Sequence, residues 1–221
     1  MIILGIETSG KVGGVALCDG EELIEQTAFR SGMVHGKALV PAVSRLLSKN
    51  KIAPAEVHAI AVSAGPGSYT GVRVGVTCAK TFCYVTGAHL VAVSTLDAMV
   101  QGVPKKYDTA APILDARRGD VYTCVYQRTA NGWQRQTELT AEKPQDAVTQ
   151  LPAGAFVFGS GLARFPEIFA KSKLIAGTER YWWPKAKHVC ALGLRAAQES
   201  RFEDALTFTP IYLRPSEYGK G

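Results

Sequence analysis

The 221-residue chain predicts an α/β protein of two related lobes with mixed sheets, and three observations carry that expectation. Apolar runs separated by tight polar turns open the chain in the manner of antiparallel strands. Strand-like runs then alternate with runs of helical period, the pattern of crossovers onto parallel strands. Near residue 110 the opening pattern returns, with Asp115 at a turn like the one that carries Glu7.

In order, residues 2–7 (IILGIE), 12–18 (VGGVALC) and the run LIEQTAF predict three strands, joined by TSGK and CDGEE. Across 35–49, Leu39, Val40, Val43, Leu46 and Leu47 recur with helical period, and Pro41 either sits in the first turn or bends the helix. VHAIAVS at 57–63 predicts a strand running through SAGPGSYTG into a helix from about Thr70 to Val85, followed by the short strand HLVAV. The first lobe, 1–95, thus reads β-β-β-α-β-α-β. The second, 96–221, opens with strands at 110–115 (AAPILD) and 120–127 (DVYTCVYQ) around Ala116, Arg117, Arg118 and Gly119. A polar strand near 131–139, a helix after Pro144, the strand AFVFGSG and helices near 162–171 and 187–199 follow. The tail TPIYLRPSEYGKG reads as extended, with the option of returning to the first lobe.

Hydrophobic residues at 47% and charged residues at 20% suit a globular protein with a real core. Lys and Arg exceed Asp and Glu by 25 to 19 without a polybasic block, which permits a nucleic-acid partner but does not require one. The five cysteines are scattered with no C-x-x-C, so reduced thiols in a cytoplasmic protein are expected. The N-terminus lacks a basic leader and no run is long enough to span a bilayer, so neither secretion nor a membrane is expected. His35, His58, His89 and His188 never fall three or four apart, which argues against a histidine-bound metal, and no G-x-S-x-G elbow supports a serine nucleophile.

The glycine-rich SAGPGSYTG at 63–71 is neither of the common phosphate loops. Gly71 is followed by Val72 and Arg73 instead of Lys-Ser/Thr, and Thr70 stands where a dinucleotide loop needs glycine. It offers free N–H groups for an anion, or, more commonly, Ser68 or Thr70 caps the helix while Gly65, Gly67 and Gly71 permit a tight turn. Glu7, Thr8 and Ser9 place a carboxylate beside hydroxyls, a weak metal-water signal. Asp115 with Arg117 and Arg118 reads equally as a phosphate-attracting turn or a solvated hairpin tip. The helix after the loop has a small-residue stripe of Gly71, Gly75, Ala79 and Cys83 amid Val72, Val74, Val76, Phe82 and Val85. Such a helix packs on its sheet and against either the 35–49 helix or a second subunit.

GIETS, SAGPGSYTGVRVGVTCAKTF, DARRGDVYTCVY, VFGSG and PIYLR, in order from residue 2 to about 214, together resemble the TsaB (YeaZ) family of the bacterial tRNA threonylcarbamoyladenosine machinery. The resemblance implies an actin-like, Hsp70-like, sugar-kinase-like (ASKHA) fold. It implies a nucleotide cleft flanked by Glu7, Thr8 and Ser9 and by Asp115, Arg117 and Arg118, with Gly159 and Gly161 near the adenosine position. That cleft is degenerate, because glutamate replaces the aspartate of active ATPases and two arginines replace small residues.

It further implies a scaffold subunit with no activity, metal or cofactor of its own, pairing with TsaD, joined by TsaE, and forming a homodimer when alone. TsaD would supply the active site that transfers threonylcarbamoyl to N6 of the adenosine next to the anticodon. The H-x-x-x-H metal pair of the catalytic paralogue TsaD is missing, since Leu39 stands four residues after His35. Leu39, Val43, Leu46, Leu47, Gly75, Val76, Ala79 and Cys83 are the candidate partner interface. Contact with tRNA is expected only through the complex, and the basic stretch of Lys171, Lys173, Arg180, Lys185 and Lys187 beside Tyr181, Trp182 and Trp183 reads better as a solvated face. The alternative to a scaffold is a small autonomous kinase or ATPase using Glu7 and Asp115.

Overall fold

The computed structural model describes residues 1–30 and 35–213. It divides into a unit of Met1–Ala98 with Pro184–Ile211 and a unit of Met99–Trp183. In the first, β1 (Ile2–Glu7), β2 (Val12–Asp19), β3 (Glu22–Arg30), β4 (Ala59–Gly65) and β5 (His89–Ser94) form a sheet in the order β3-β2-β1-β4-β5. The β1–β2 and β2–β3 pairs are antiparallel, while β1–β4 and β4–β5 are parallel. Helices α1 (His35–Lys49) and α2 (Tyr69–Thr86) are the crossovers that parallel pairing requires. A short α3 (Thr95–Val100), not foreseen from the sequence, follows β5.

The period-2 alternation of the strands divides the core into two layers. Leu4, Ile6, Val15, Leu17, Ile60 and Val62 meet α1 and α2 on one face. Burying each such side chain stabilises the fold by about 1.5–3 kcal/mol. Ile3, Ala16, Ala59 and Ala61 belong to the layer on the other face.

The second unit contains β6 (Thr109–Asp115), β7 (Val121–Thr123), β8 (Tyr126–Thr129), β9 (Gly132–Arg135), β10 (Thr140–Glu142), α4 (Pro144–Gln150), β11 (Phe156–Phe158), α5 (Ser160–Arg164), α6 (Pro166–Ala170) and β12 (Ile175–Ala176). Its main path, β10-β7-β6-β11-β12, repeats the order and directions of the first sheet. The duplication legible in the paired turns is therefore present in the topology, and the fold is the expected two-lobed ASKHA type.

Two expected strands are broken. The run 120–127 splits into β7 and β8 at Cys124–Val125, and 131–139 gives β9 with β10 beginning only at Thr140, because the pairing shifts from Tyr126 with Arg135 to Thr123 with Thr140 and so places two extra residues within 136–139. Thr137 fills the gap: its hydroxyl accepts from Val125 N–H at 3.0 Å and its carbonyl from the Cys124 thiol at 3.1 Å. The helix expected near 162–171 is two short ones, because Pro166 cannot continue α5 and instead starts α6.

The last helix, α7 (Ala186–Gln198), groups with the first unit, whereas the sequence predicts 96–221 as one lobe. Small residues on both sides explain it. A Cβ on Gly5 would meet the Ala186 carbonyl at 2.7 Å, and one on Gly193 would run into Ala61, so α7 lies unusually close to the sheet. Its Ala186, Val189, Cys190 and Leu194 complete the second core layer. Beyond it, Ile211 N–H pairs with the Ala64 carbonyl at 2.8 Å, and Lys80 of α2 donates to the Phe208 carbonyl at 2.8 Å. The expected return of the extreme C-terminus concerns residues from 214, outside the described ones.

Candidate functional site

The sequence singles out three places: the turn after β1, the turn after β6 and the α1–α2 pair. At the first, Glu7 ends β1 with only 1% of its surface exposed. One carboxylate oxygen accepts from the Ser9 N–H and hydroxyl, both at 2.6 Å, and the other from the Ser63 hydroxyl of β4. Burial raises its pKa above the ordinary 4.5, and these hydrogen bonds pull the other way. A carboxylate so enclosed presents no oxygen outward for a hydrated cation. No metal-binding group of three or more His, Cys, Asp or Glu side chains exists among the described residues.

Thr8, fully buried, donates to the Gly71 carbonyl at 2.8 Å, and Ser68 N–H donates to the Ser9 carbonyl at 2.8 Å. A Cβ on Gly67 would collide with Ser9, one on Gly71 with the Thr8 carbonyl, and one on Gly75 with the Thr8 hydroxyl. These glycines let the loop and α2 close over the β1 turn. Ser68 caps α2 by accepting from Gly71 N–H at 3.2 Å, and Gly87 closes it in the left-handed region at φ 78°. The loop thus uses its glycines and its serine for packing and capping.

The turn after β6 is built differently. Asp115 accepts from Arg117 N–H at 2.8 Å, and its own N–H donates to the Ser160 hydroxyl at 3.1 Å. Arg117, Arg118 and Gly119 all have positive φ, at 62°, 52° and 85°. For arginine this costs about 1–2 kcal/mol per residue. The Arg117 side chain is 87% exposed, and its guanidinium lies 3.6 Å from Asp115. Asp120 closes the turn and pairs with Lys143 at 2.7 Å. Gly159 and Gly161 serve packing, since a Cβ on either would strike the Ile113 carbonyl.

The eight expected interface residues need correction. Leu39, Val43, Leu46, Leu47, Val76, Ala79 and Cys83 are at most 5% exposed, Gly75 is buried, and all eight face the first unit's own core layer or the β1 turn. The small-residue stripe is the face that α2 lays on its sheet. The opposite faces are open: Val40 on α1 and Tyr84 and Val85 on α2 are 60%, 78% and 75% exposed. Sequence reasoning missed Tyr84 because a helix apolar nearly all round hides which arc is covered. It also missed Ser63, which opens the SAGPGSYTG stretch but reads there only as the end of a strand. A wheel centred on the stripe would have found Thr70, Arg73, Thr77, Thr81 and Tyr84 on the outer arc. Leu39 is a core residue, and the His35 side chain lies outside the described residues.

Comparison with known proteins gives a consistent picture. The family model TsaD, tRNA N6-adenosine threonylcarbamoyltransferase, matches residues 31–218. The chain is 27% identical over 220 residues to the tRNA threonylcarbamoyladenosine biosynthesis protein TsaB of Escherichia coli (strain K12), covering 97% of the chain and 95% of that protein. To the TsaB of Bacillus subtilis (strain 168) it is 40% identical over 127 residues, 58% of the chain and 56% of that protein. YeaZ from Pseudomonas aeruginosa superposes with a TM-score of 0.87 at 24% identity, over 96% of the chain and 99% of that structure, a likeness of fold.

Proposed function

The chain belongs to the family of the TsaD model, tRNA N6-adenosine threonylcarbamoyltransferase, on its TsaB (YeaZ) side, and we propose that it serves tRNA threonylcarbamoyladenosine biosynthesis as a noncatalytic scaffold. In this reading it pairs with a TsaD-type protein through the outer faces of α1 and α2, with TsaE joining the assembly in the cytoplasm. The carrying observation is the contrast between Glu7 and the helices. The carboxylate that an ATPase would need is sealed by Ser9 and Ser63, whereas Val40, Tyr84 and Val85 stand in solvent. Large apolar side chains exposed on adjacent helices are what a protein interface uses. No helix among the described residues is long and apolar enough to cross a membrane, in keeping with a protein that works in solution.

The corrected surface changes the test. Arginine at Ala79 or Val76 would enter the core and unfold the unit, so it cannot report on pairing. Tyr84→Asp with Val85→Asp leaves the core intact and is expected to abolish co-elution with the TsaD-type protein at an unchanged melting temperature. Reconstitution of the tRNA modification with each component omitted then decides the role. Modification undiminished without this chain defeats the scaffold reading, and ATP hydrolysis by this chain alone, lost in Glu7→Gln, would favour the kinase or ATPase alternative.

A further inference from the structure

The spacing of the histidines along the chain hides a pair that the first sheet brings together. β4 and β5 run parallel with Ala59 opposite His89, and the His89 N–H donates to the His58 carbonyl at 3.0 Å. Both side chains are exposed, and their ring centroids lie 5.4 Å apart with the planes at 61°. The His89 ring also stacks on Phe202, with centroids 4.0 Å apart and the planes within 15° of parallel, and Phe202 packs against the second core layer. One imidazole is thus held by the core, while the other stands in solvent, where its ring is able to turn.

With metal–nitrogen bonds of about 2.0–2.1 Å, two imidazoles on one tetrahedral ion have ring centroids about 5 Å apart. The observed separation therefore lets both rings reach a common ion once the exposed His58 ring rotates. We propose that His58 and His89 form a surface site for a borderline divalent transition metal, zinc or nickel, held by two imidazoles with water in the remaining positions. Imidazole nitrogen suits these ions, whereas magnesium and calcium take oxygen ligands. Two protein ligands are all that the described residues supply, since no group of three or more occurs among them. The stack on Phe202 fixes the His89 ring in advance, so less side-chain freedom is lost on binding. The pair lies at the opposite end of the sheet from the Glu7 turn: His58 N–H donates to the Ile2 carbonyl at 2.9 Å where β1 starts, and Glu7 ends that strand. A bound ion would clasp the start of β4 to the chain leaving α2, which closes at Gly87 two residues before His89. The site stands apart from the scaffold reading, and neither depends on the other.

Calorimetric titration of the untagged protein with zinc chloride and with nickel chloride, against magnesium chloride as control, is the experiment. Saturable binding is expected for zinc and nickel and none for magnesium. His58→Gln and His89→Gln, made separately, should each weaken zinc binding at least about tenfold, because a ligand matters no less than the outer groups whose loss costs that much. Thermal melting gives a second readout, since an ion bound only by the folded state raises the melting temperature. Zinc should raise it in the wild type and in neither variant. Both side chains are exposed, so without metal the variants are expected to melt with the wild type.

Zinc binding that ignores both substitutions would assign the ion to other groups, such as the Cys78 thiol, and overturn the proposal. Weakening in only one variant would reduce the site to a single imidazole and overturn it equally. So would the absence of saturable zinc binding, or magnesium binding as tightly as zinc. Each of these results leaves the scaffold reading standing.

Discussion

The turns after β1 and after β6 occupy equivalent places in two sheets of the same order, and they have been put to opposite uses. The first is interior: Glu7, Thr8 and Ser9 are nearly inaccessible, and their polar atoms are answered by Ser63, Ser68 and Gly71. The second is a surface corner whose carboxylate bonds its own backbone and whose arginines hold left-handed conformations. Topology survives duplication because it follows from strand order and crossovers, whereas the chemistry of a turn follows from what packs over it. In the first unit what packs over it is the GPGSYTG loop and α2, and packing has replaced ligand access.

Breaking that packing should give the largest effect. Gly71→Ala drives a Cβ into the Thr8 carbonyl, where neither backbone can yield, and is expected to destabilise the chain by about 3 kcal/mol. The matching change in the second turn, Gly119→Ala, has open space apart from Lys143 Nζ at 3.9 Å and should cost only about 1 kcal/mol for its left-handed backbone. Urea denaturation of the two variants measures the difference, and equal losses would dissolve the contrast between interior and surface.

Next comes Glu7→Gln, which keeps the shape but replaces one accepting oxygen by a donor and should cost about 1–2 kcal/mol, against about 0.5 kcal/mol or less for Asp115→Asn. The pH dependence has a definite sign. Glu7's folded pKa is raised above 4.5, so the folded state holds its proton longer than the unfolded chain does. Wild-type stability therefore falls as pH rises from 4.5 through the raised value, and this component is missing in Glu7→Gln. His188 acts oppositely, its pKa lowered to about 4 by burial and by Lys187 and Lys185, so its contribution is lost as pH falls from 6.5 through 4. The difference between wild type and Glu7→Gln across pH cancels the histidine and isolates the glutamate.

The smallest effect belongs to the strained corner. Arg117→Gly relieves one left-handed arginine at the expense of unfolded-state entropy and should stabilise by about 0.5 kcal/mol. A loss instead would mean that the Arg117 side chain holds the turn.

How much of this was legible depended on range. The succession of strands and helices along the first lobe, both crossovers and the paired carboxylates follow local rules of period and turn, and they were readable. The break at Cys124–Val125 was not, because it is mended by Thr137 across the sheet. Nor was the seat of α7, since the complementarity of Gly193 with Ala61 joins residues far apart in the chain. The interface residues were misplaced for a related reason: periodicity identified the apolar side of α2 correctly, but which side meets the chain's own sheet and which meets solvent is a tertiary fact.

The central claim, that the chain acts through the outer face of α1 and α2 and not through Glu7, is tested most directly by the reconstituted tRNA modification with two variants. Glu7→Gln, assayed where it is folded, is expected to support modification at close to the wild-type rate, while Tyr84→Asp with Val85→Asp is expected to abolish it. Modification lost in Glu7→Gln with the complex still assembled, or retained in the surface variant, would contradict the account.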